Sequence, residues 1–172
     1  VQIVNLDGNV SYETVPISKN QPFLSQIRSV RNFSGIHPYA VTIGIPRGER
    51  AMQGVVLKGV DSTYDWSFFR QNLVEGELQS GVRTKDIAVS RSLADLLEVS
   101  VGDPLEMLFI QDPPRRDLFR VAGIYDTQFS EIDHMMVLTD LRNVQRLNGW
   151  DSTQITGFEI ATSYFGLLEP FT

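Results

Sequence analysis

Residues 87–149, IAVSRSLADLLEVSVGDPLEMLFIQDPPRRDLFRVAGIYDTQFSEIDHMMVLTDLRNVQRLNG, give the most direct view of the fold. They predict a short strand, a leucine-rich helix, a turn at Gly102-Asp103, two strands joined by a tip, a third strand and a last helix. Apolar residues alternate along the two joined strands, as in Leu105, Met107 and Phe109, and then Phe119, Val121 and Tyr125. Alternation of this kind places them on one face of a sheet. No position in the segment has the surroundings of a catalytic residue.

Both helices of this segment follow strands, and each begins at a candidate cap. Ser92 and Asp95 have capping-box spacing, and Thr139 is the predicted cap of the second helix. The predicted strands before them are Ile87–Val89 and Met135–Leu138. The predicted buried faces are Leu93, Leu96 and Leu97 in the first helix, and Leu141, Val144 and Leu147 in the second.

The start of the chain predicts a hairpin and a helix. Asp7-Gly8 between extended segments is a strong two-residue turn signal, since both turn positions need positive φ. The returning strand is predicted over Ser11–Ile17. Asn20 then predicts the cap of a helix with Pro22 in its first turn, and Gly35 its end.

A longer strand pair follows, with the turn Pro46–Glu49 between Tyr39–Ile45 and Ala51–Val60. Asp65 predicts the cap of a short helix that ends at Gly76. Its predicted apolar stripe is Trp66, Phe69 and Leu73. Residues 77–85 are a polar connector, and Ile155–Ala161 is the last predicted strand.

The predicted order is therefore ββαββαβαβββαβ. Helices are short and do not separate every pair of strands, which favours an α+β fold with mixed sheets over a doubly wound parallel fold. Neither an internal repeat nor a low-complexity segment is present.

Composition narrows the function classes. The 172 residues include no cysteine and carry a net charge of −6, with a pI of about 4.9 and a mean hydropathy of −0.10. The acidic charge disfavours binding to nucleic acid and to anionic lipid, and the absence of cysteine excludes disulfides and thiolate chemistry. No apolar run approaches the roughly 20 residues of a membrane helix.

One cluster has ligand chemistry. Asp126, Glu131, Asp133 and His134 fall in a polar stretch between predicted strands, and they support either a carboxylate–histidine site or an ordinary solvated loop. The solvated loop is the preferred interpretation, because no further histidine or cysteine completes a site. His37 is expected to be a turn or edge residue. Ser90 and Ser92 are explained by helix capping, because no G-x-S-x-G motif surrounds them.

Two places are candidate partner contacts. The stiff, charged tip comprises Pro113, Pro114, Arg115 and Arg116. It is either an ordinary stiff hairpin loop, which is the preferred interpretation, or a partner-binding loop, since loops carry most binding residues. Trp66 and Phe69 are expected in the core, whereas Phe68 points elsewhere on the helix and is expected to be exposed. Neither a catalytic, a cofactor-binding nor a metal-binding residue is predicted.

Five segments in fixed order resemble the MacB-like periplasmic core domain of FtsX-type ABC transporter permeases, and together they cover about residues 1–161. They are Gly54–Val60 followed by an aromatic helix and Leu73–Gly76, then Ile87–Leu97, Val101–Asp103, Phe119–Tyr125, and Met136–Leu141 leading to Val144–Leu147. Within that family the chain is most similar to the lipoprotein-releasing permeases of the LolC and LolE type.

The resemblance implies a non-enzymatic domain on the periplasmic side of the cell membrane. Such a domain is attached through transmembrane helices that lie outside this chain, and it couples ATP-driven motion to the handling of a lipoprotein, a small hydrophobic cargo or a periplasmic partner protein. The implied partners are a second permease protomer and a cognate ATPase subunit. The chain contains no G-x-x-x-x-G-K-[ST] motif, so ATP hydrolysis is expected elsewhere.

The resemblance also implies two subdomains within residues 1–172. A βαβ-like lobe would hold residues 1–76 and 134–172, and a strand-rich lobe residues 77–133. In LolC a projecting hairpin of the second lobe recruits a chaperone, but here the corresponding link is only Gln111–Arg116, so chaperone capture through it is not expected. Two alternatives stay open: an envelope hydrolase that uses the Asp126–His134 loop, and a free-standing envelope binding module.

Overall fold

The computed structural model describes residues 2–4, 15–30, 33–78 and 85–162. The strands are β1 (Gln2–Val4), β2 (Ile17–Ser18), β3 (Phe33–Arg47), β4 (Val55–Val60), β5 (Leu73–Gly76), β6 (Asp86–Ser90), β7 (Pro104–Phe109), β8 (Arg115–Tyr125), β9 (Met136–Asp140), β10 (Gln154–Ile155) and β11 (Gly157–Thr162). The helices are α1 (Leu24–Arg28), α2 (Ser67–Gln71), α3 (Arg91–Leu97), α4 (Ser130–Met135) and α5 (Leu141–Leu147).

Six strands form a closed circuit in the order β3–β4–β9–β6–β8–β7 and back to β3, within one nine-stranded sheet. The pairs β4–β9 and β6–β8 are parallel and the other four are antiparallel. The sheet continues beyond the circuit through β11 and β1 on one side and through β5 on the other. Mixed pairing with short helices confirms the predicted α+β class.

The 15-residue strand β3 connects the two parts of this sheet. Along one edge, its residues from Phe33 to Tyr39 pair with β11, and its residues from Ile45 to Arg47 pair with β7. The opposite edge pairs with β4. The circuit therefore closes through the second half of a strand whose first half holds the chain-terminal strands.

The larger core lies on the inner face of the circuit and is completed by α3 and α5. Residues of alternating strand positions supply it, as predicted for β7 and for Phe119 and Val121 of β8. Tyr125 was predicted on the same face but belongs to the second core on the opposite face, because the register of β8 shifts between Val121 and Gly123. The bulkiest fully buried members of the larger core are Leu57, Ile87, Leu97, Leu105, Met107, Phe109, Phe119, Ile124 and Ile155. Filling one enclosed space with these side chains removes a large apolar area from water, the main driving force for folding.

A second core lies on the outer face, where α2 and α4 cover part of the sheet. It contains Trp66 and Phe69 of the α2 region together with Tyr39, Val60, Tyr125 and Leu138. Trp66 and Phe69 are therefore core residues, as predicted. Along β4, Leu57 faces the inner core and Val60 the outer one, as strand alternation requires.

Two predicted caps are wrong, one by two residues and the other by one. The Oγ of Ser90, not of Ser92, accepts the first hydrogen bond of α3, from the backbone N–H of Leu93 at 3.1 Å. The carboxylate of Asp140, not the hydroxyl of Thr139, accepts from the N–H of Arg142 at 2.9 Å. In both cases the strand continues directly into the helix, so its last residue becomes the cap.

Several predicted boundaries also differ. Helix α1 ends at Arg28, and Gly35 lies inside β3. Leu73 begins β5 instead of completing the α2 stripe. Leu96 of α3 is exposed, whereas Leu93 and Leu97 are buried. The observed order gains β5, the helix α4 within the predicted Asp126–His134 loop, and a split of the last strand into β10 and β11.

The predicted hairpin at Asp7-Gly8 and most of the strand Ser11–Ile17 lie outside the described residues. Strand β1 pairs with β11, and β2 pairs with β10. The division into lobes at residues 76–77 and 133–134 stays a prediction. Strands from both predicted lobes hydrogen-bond to each other within the nine-stranded sheet, as β9 does with β6.

Gly59 provides a test of the packing between β4 and α5. A Cβ atom there would lie 2.8 Å from Cα of Leu141 and 2.9 Å from Cγ2 of Val144. We expect Gly59→Ala to lower the free energy of unfolding by about 2 kcal/mol, because backbone must shift to accept the methyl group. The measurement is urea unfolding followed by circular dichroism.

The matched control is Gly54→Ala, since a Cβ at Gly54 would meet no atom within 4 Å. This variant should change the free energy of unfolding by less than about 0.5 kcal/mol. Equal effects of the two substitutions would contradict the close packing of α5 on β4.

Candidate functional site

The predicted tip joins β7 to β8 and is held against the end of α5. Nε2 of Gln111 donates to the carbonyl oxygen of Leu147 at 2.8 Å, and Nη1 of Arg115 donates to that of Arg146 at 3.1 Å. These bonds hold the tip against carbonyl groups of the last helical turn, of which that of Arg146 also accepts from the N–H of Gly149 at 3.1 Å. Pro113, Pro114 and Arg116 remain exposed. The tip is thus a short, anchored loop.

An ion-pair cluster lies beside the tip and is centred on Asp117. Its carboxylate accepts from Nζ of Lys85 at 2.6 and 2.7 Å and from Nη2 of Arg146 at 2.6 Å. Partial burial alone would raise the pKa of Asp117, but the hydrogen bonds from these two cations hold it below its usual value. Next to it, Arg120 forms a bidentate pair with Asp86 at 3.0 and 3.1 Å.

Phe68 does not lie near the tip. It is on α2, is 40% exposed as predicted, and its ring centroid is 6.4 Å from that of Phe129, which is 59% exposed. Below this pair, Phe69 packs against Tyr125 at the last residue of β8. The tip includes the first two residues of the same 11-residue strand, so the two predicted contact sites are separated by roughly 30 Å.

Two carboxylates of the predicted acidic cluster accept hydrogen bonds from the loop before α4. Oδ1 of Asp133 accepts from the hydroxyl and the N–H of Thr127 at 2.7 and 3.2 Å, and Oδ2 accepts from the N–H of Gln128 at 3.0 Å. Asp126 accepts from the same N–H at 3.1 Å. Glu131 and His134 are exposed. These side chains therefore cap a loop and do not converge on a common cavity.

The remaining polar candidates also have structural partners. The Ser90 hydroxyl donates to the carbonyl oxygen of Asp133 and links α3 to α4. Nδ1 of His37 lies 3.4 Å from Oγ1 of Thr63. Among the residues that the structure describes, no group of three or more histidine and acidic side chains could hold a metal ion.

The chain-terminal strands are connected to the circuit by a partly buried ion pair, in which Lys58 is buried and Glu159 is half-buried. Nζ of Lys58 on β4 contacts the carboxylate of Glu159 on β11, so the pair spans the intervening strand β3. The Lys58 ammonium also lies over the rings of Tyr39 and Tyr64, 5.2 and 5.7 Å from their centroids. Burial raises the pKa of both tyrosines, and the nearby charge of Glu159 raises it further. Both side chains therefore stay neutral over the physiological range.

The structure also reveals a surface that the sequence analysis missed. We name it the outer strip and define it by Ile43, Ile45, Leu108, Arg116 and Leu118, on the outer face of β3, β7 and β8. Ile45 is the register partner of Leu108, which pairs in turn with Arg116. The alternation along β7 was a usable signal, because it places Leu108 opposite to Leu105, Met107 and Phe109.

Solved structures of low sequence identity share the fold. The extracellular domain of the noncanonical ABC-type transporter YknZ from Gram-positive bacteria superposes with a TM-score of 0.58 at 12% identity, covering 87% of this chain and 75% of that one. The periplasmic region of MacB from Actinobacillus actinomycetemcomitans gives a TM-score of 0.55 at 14% identity, covering 84% and 64%. The fold is therefore that of outer domains of ABC-type transporters.

Sequence comparison points to the same class. The lipoprotein-releasing system transmembrane protein LolC of Xylella fastidiosa strain 9a5c is 25% identical over 165 residues, and that of strain Temecula1 is 24% identical over 163. Each match covers 89% of this chain and 39% of the LolC protein. No family model matches the chain.

Fold and sequence together confirm the predicted resemblance: the chain is similar to MacB- and FtsX-like periplasmic domains of ABC permeases. Within the part that the structure describes, no helix has the length and apolar character needed to cross a bilayer.

Asp117 gives a test by pH. Because its pKa is lower in the folded state than in the unfolded chain, where it is about 3.9, the carboxylate stabilises the fold above that pH. The contribution disappears as the pH falls through the folded-state pKa. We expect Asp117→Asn to lower the free energy of unfolding by about 1 kcal/mol at pH 7, a modest loss because both cations are partly exposed. Below about pH 4 the free energies of unfolding of the variant and the wild type should approach each other.

Urea unfolding of both proteins between pH 3 and pH 7 measures this effect. Asp112→Asn, at the exposed tip, is the control and should leave the unfolding free energy unchanged at pH 7. A deficit in Asp117→Asn that stays constant across the whole pH range would refute the ionic explanation.

The pair Lys58–Glu159 predicts a non-additive result. Lys58→Met should lower the unfolding free energy by about 3 kcal/mol, because it leaves the Glu159 carboxylate without its buried cation. The double variant Lys58→Met/Glu159→Met should cost less than Lys58→Met alone, since no uncompensated charge remains. A double-mutant cycle by chemical denaturation measures the coupling, and strictly additive losses would disprove it.

Proposed function

We propose that this chain is an extracytoplasmic domain of an ABC transporter permease and couples ATP-driven transmembrane motion to the handling of a substrate or partner. The observation that carries the proposal is the pairing of β1 with β11. Gln2 lies opposite Glu159 in an antiparallel ladder, so β1 begins at the end of the sheet where β11 finishes. A domain inserted between two neighbouring transmembrane helices needs both connections at one end.

The mechanical connection runs through the sheet. Strand β11 hydrogen-bonds to β3 over Phe33–Tyr39, and the Lys58–Glu159 pair adds an electrostatic contact between β11 and β4. A displacement of the two connections would thus reach the circuit through a hydrogen-bonded ladder and a desolvated ion pair. Rigid elements of this kind transmit movement with little loss, because packed interiors resist compression.

The partners proposed for the domain are a second permease protomer and a separate ATPase subunit, since the sequence lacks a phosphate-binding loop of the G-x-x-x-x-G-K-[ST] type. The cell membrane is the proposed location, with the domain on its periplasmic or extracytoplasmic side. The LolC relatives are named for lipoprotein release, which supports a lipoprotein as cargo. A small hydrophobic compound or a periplasmic protein is the other class of ligand.

The predicted contacts Pro113, Pro114, Arg115, Arg116 and Phe68 stay proposals. Their exposure supports the role. Since they lie at opposite ends of β8, they would contact two different parts of an assembly.

The location is tested with a single cysteine in a chain that has none. Ile110, next to the tip, is 82% exposed, so Ile110→Cys should react readily. In the full-length protein, with any other cysteine replaced, we expect a membrane-impermeant maleimide to label this residue in intact spheroplasts. Leu105→Cys is the control, because Leu105 is buried and should label only after denaturation.

Labelling of Ile110→Cys only after cell lysis would overturn the proposal. Coupling is tested in the same protein by spin labels at this position in two protomers. The distance between them should change when ATP and vanadate are added to the membrane-embedded complex, and an unchanged distance would argue against mechanical coupling.

A further inference from the structure

Within the part of the chain that the structure describes, the outer strip is a sheet face that no other element covers. Leu105, Met107 and Phe109 point into the inner core, so Leu108 points outward. A Cβ on Gly44 would contact the Phe109 ring at 3.0 Å, which places Gly44 on the inner face and its neighbours Ile43 and Ile45 on the outer face. Helices α2 and α4 cover the outer core around Tyr125 and leave this end of the sheet open.

Exposure confirms that the outer strip has no cover within the described residues. Leu118 is 58% exposed and Ile43 is 41% exposed, although both lie in the middle of paired strands. Ile45 and Leu108 are half-buried side by side. Val56, the register partner of Ile43, extends the apolar surface onto β4. A contiguous apolar surface on a paired sheet is typical of a docking site.

Charge distinguishes this surface from the rest of the chain. Arg116 lies between Leu108 and Leu118 and makes no ion pair with a described residue, whereas Arg47 pairs with Glu106 at 3.4 Å. Among the described residues, Arg115 at the adjoining tip donates to the carbonyl oxygen of Arg146 on α5. On this face Arg47 and Arg116 therefore lie with Glu106, in a chain whose net charge is −6.

We infer that the outer strip binds a protein partner that presents an apolar helical or extended segment flanked by carboxylates. The apolar side chains would supply the buried contact, and Arg116 a charge-assisted hydrogen bond to a carboxylate. A second copy of the chain is a poorer occupant, because a two-fold contact would bring the same arginines of both copies together.

A bilayer is also a poorer occupant, and this step rests on the proposed function. The connections to the membrane leave at the Phe33 end of β3, because Phe33 is the register partner of Thr162. Ile43 lies ten positions further along the same strand, which corresponds to roughly 30 Å. The strip therefore lies away from the membrane and faces the surrounding compartment.

The test uses two fluorescein-labelled amphipathic helical peptides with the same leucine face, one carrying glutamates and the other lysines on its polar face. Fluorescence anisotropy with the 172-residue chain should show binding of the glutamate peptide about tenfold tighter than of the lysine peptide. Leu118→Ser should lower the affinity for the glutamate peptide about tenfold. Arg116→Glu should reverse the preference between the two peptides.

The controls lie at the end of α1 and just after it, on the other side of the sheet. Arg28→Glu replaces an exposed arginine and Val30→Ser an exposed apolar residue, and both should leave the affinities for the two peptides unchanged. Equal binding of the two peptides, or an unchanged affinity in Leu118→Ser, would overturn the inference. The inference would also be overturned if sedimentation showed self-association of the chain that Leu118→Ser abolishes. Binding of the strip to phosphatidylglycerol vesicles would overturn it as well. None of these readouts depends on membrane attachment, so this result is separable from the cysteine-labelling result.

Discussion

Strand β3 satisfies backbone hydrogen bonds on both edges with three different partners, and the rest of the structure depends on that division. Its first half holds β11, and through it β1, while its second half closes the circuit through β7. An open edge at either half would leave a row of unpaired N–H and C=O groups. The same strand therefore fixes the inner core, which requires closure, and the position of the chain connections, which requires the β11 ladder.

Local periodicity predicted what is local in this fold. The alternating residues of β7 and β8 are buried as expected, and the inward faces of α5 and most of α3 are correct, because each pattern is complete within a few residues. The circuit itself could not be predicted, because the β3–β7 pairing joins residues about 60 positions apart. Such a pairing produces no periodic pattern in the sequence. Helix α4 was not predicted because its sequence is short and polar. It is stabilised by Asp133, a residue of the helix itself, whose carboxylate accepts hydrogen bonds from Thr127 and Gln128 in the preceding loop.

The candidate contacts show the same limit. Exposure of the tip and of Phe68 followed from turn chemistry and helical spacing, but their wide separation along β8 did not. Phe129 and Leu118 are apolar residues of types usually found in a core. They are exposed because of where α2 and α4 lie on the sheet. The sequence therefore indicated single exposed positions, whereas the grouping of Ile43, Ile45, Leu108 and Leu118 into one surface arises from strand register.

The partly buried Lys58–Glu159 pair shows why a domain of this kind would retain charge in its core. Replacing such a pair by apolar side chains is often neutral or stabilising, so it is weak evidence for a contribution to stability. An ion pair does, however, fix which side chains meet, since any slip of β11 relative to β3 would separate two desolvated charges. Apolar side chains would tolerate a slip of that kind at small cost. Under the proposed coupling function, a fixed register of these strands matters more than a small gain in stability, because a ladder that slips cannot transmit displacement.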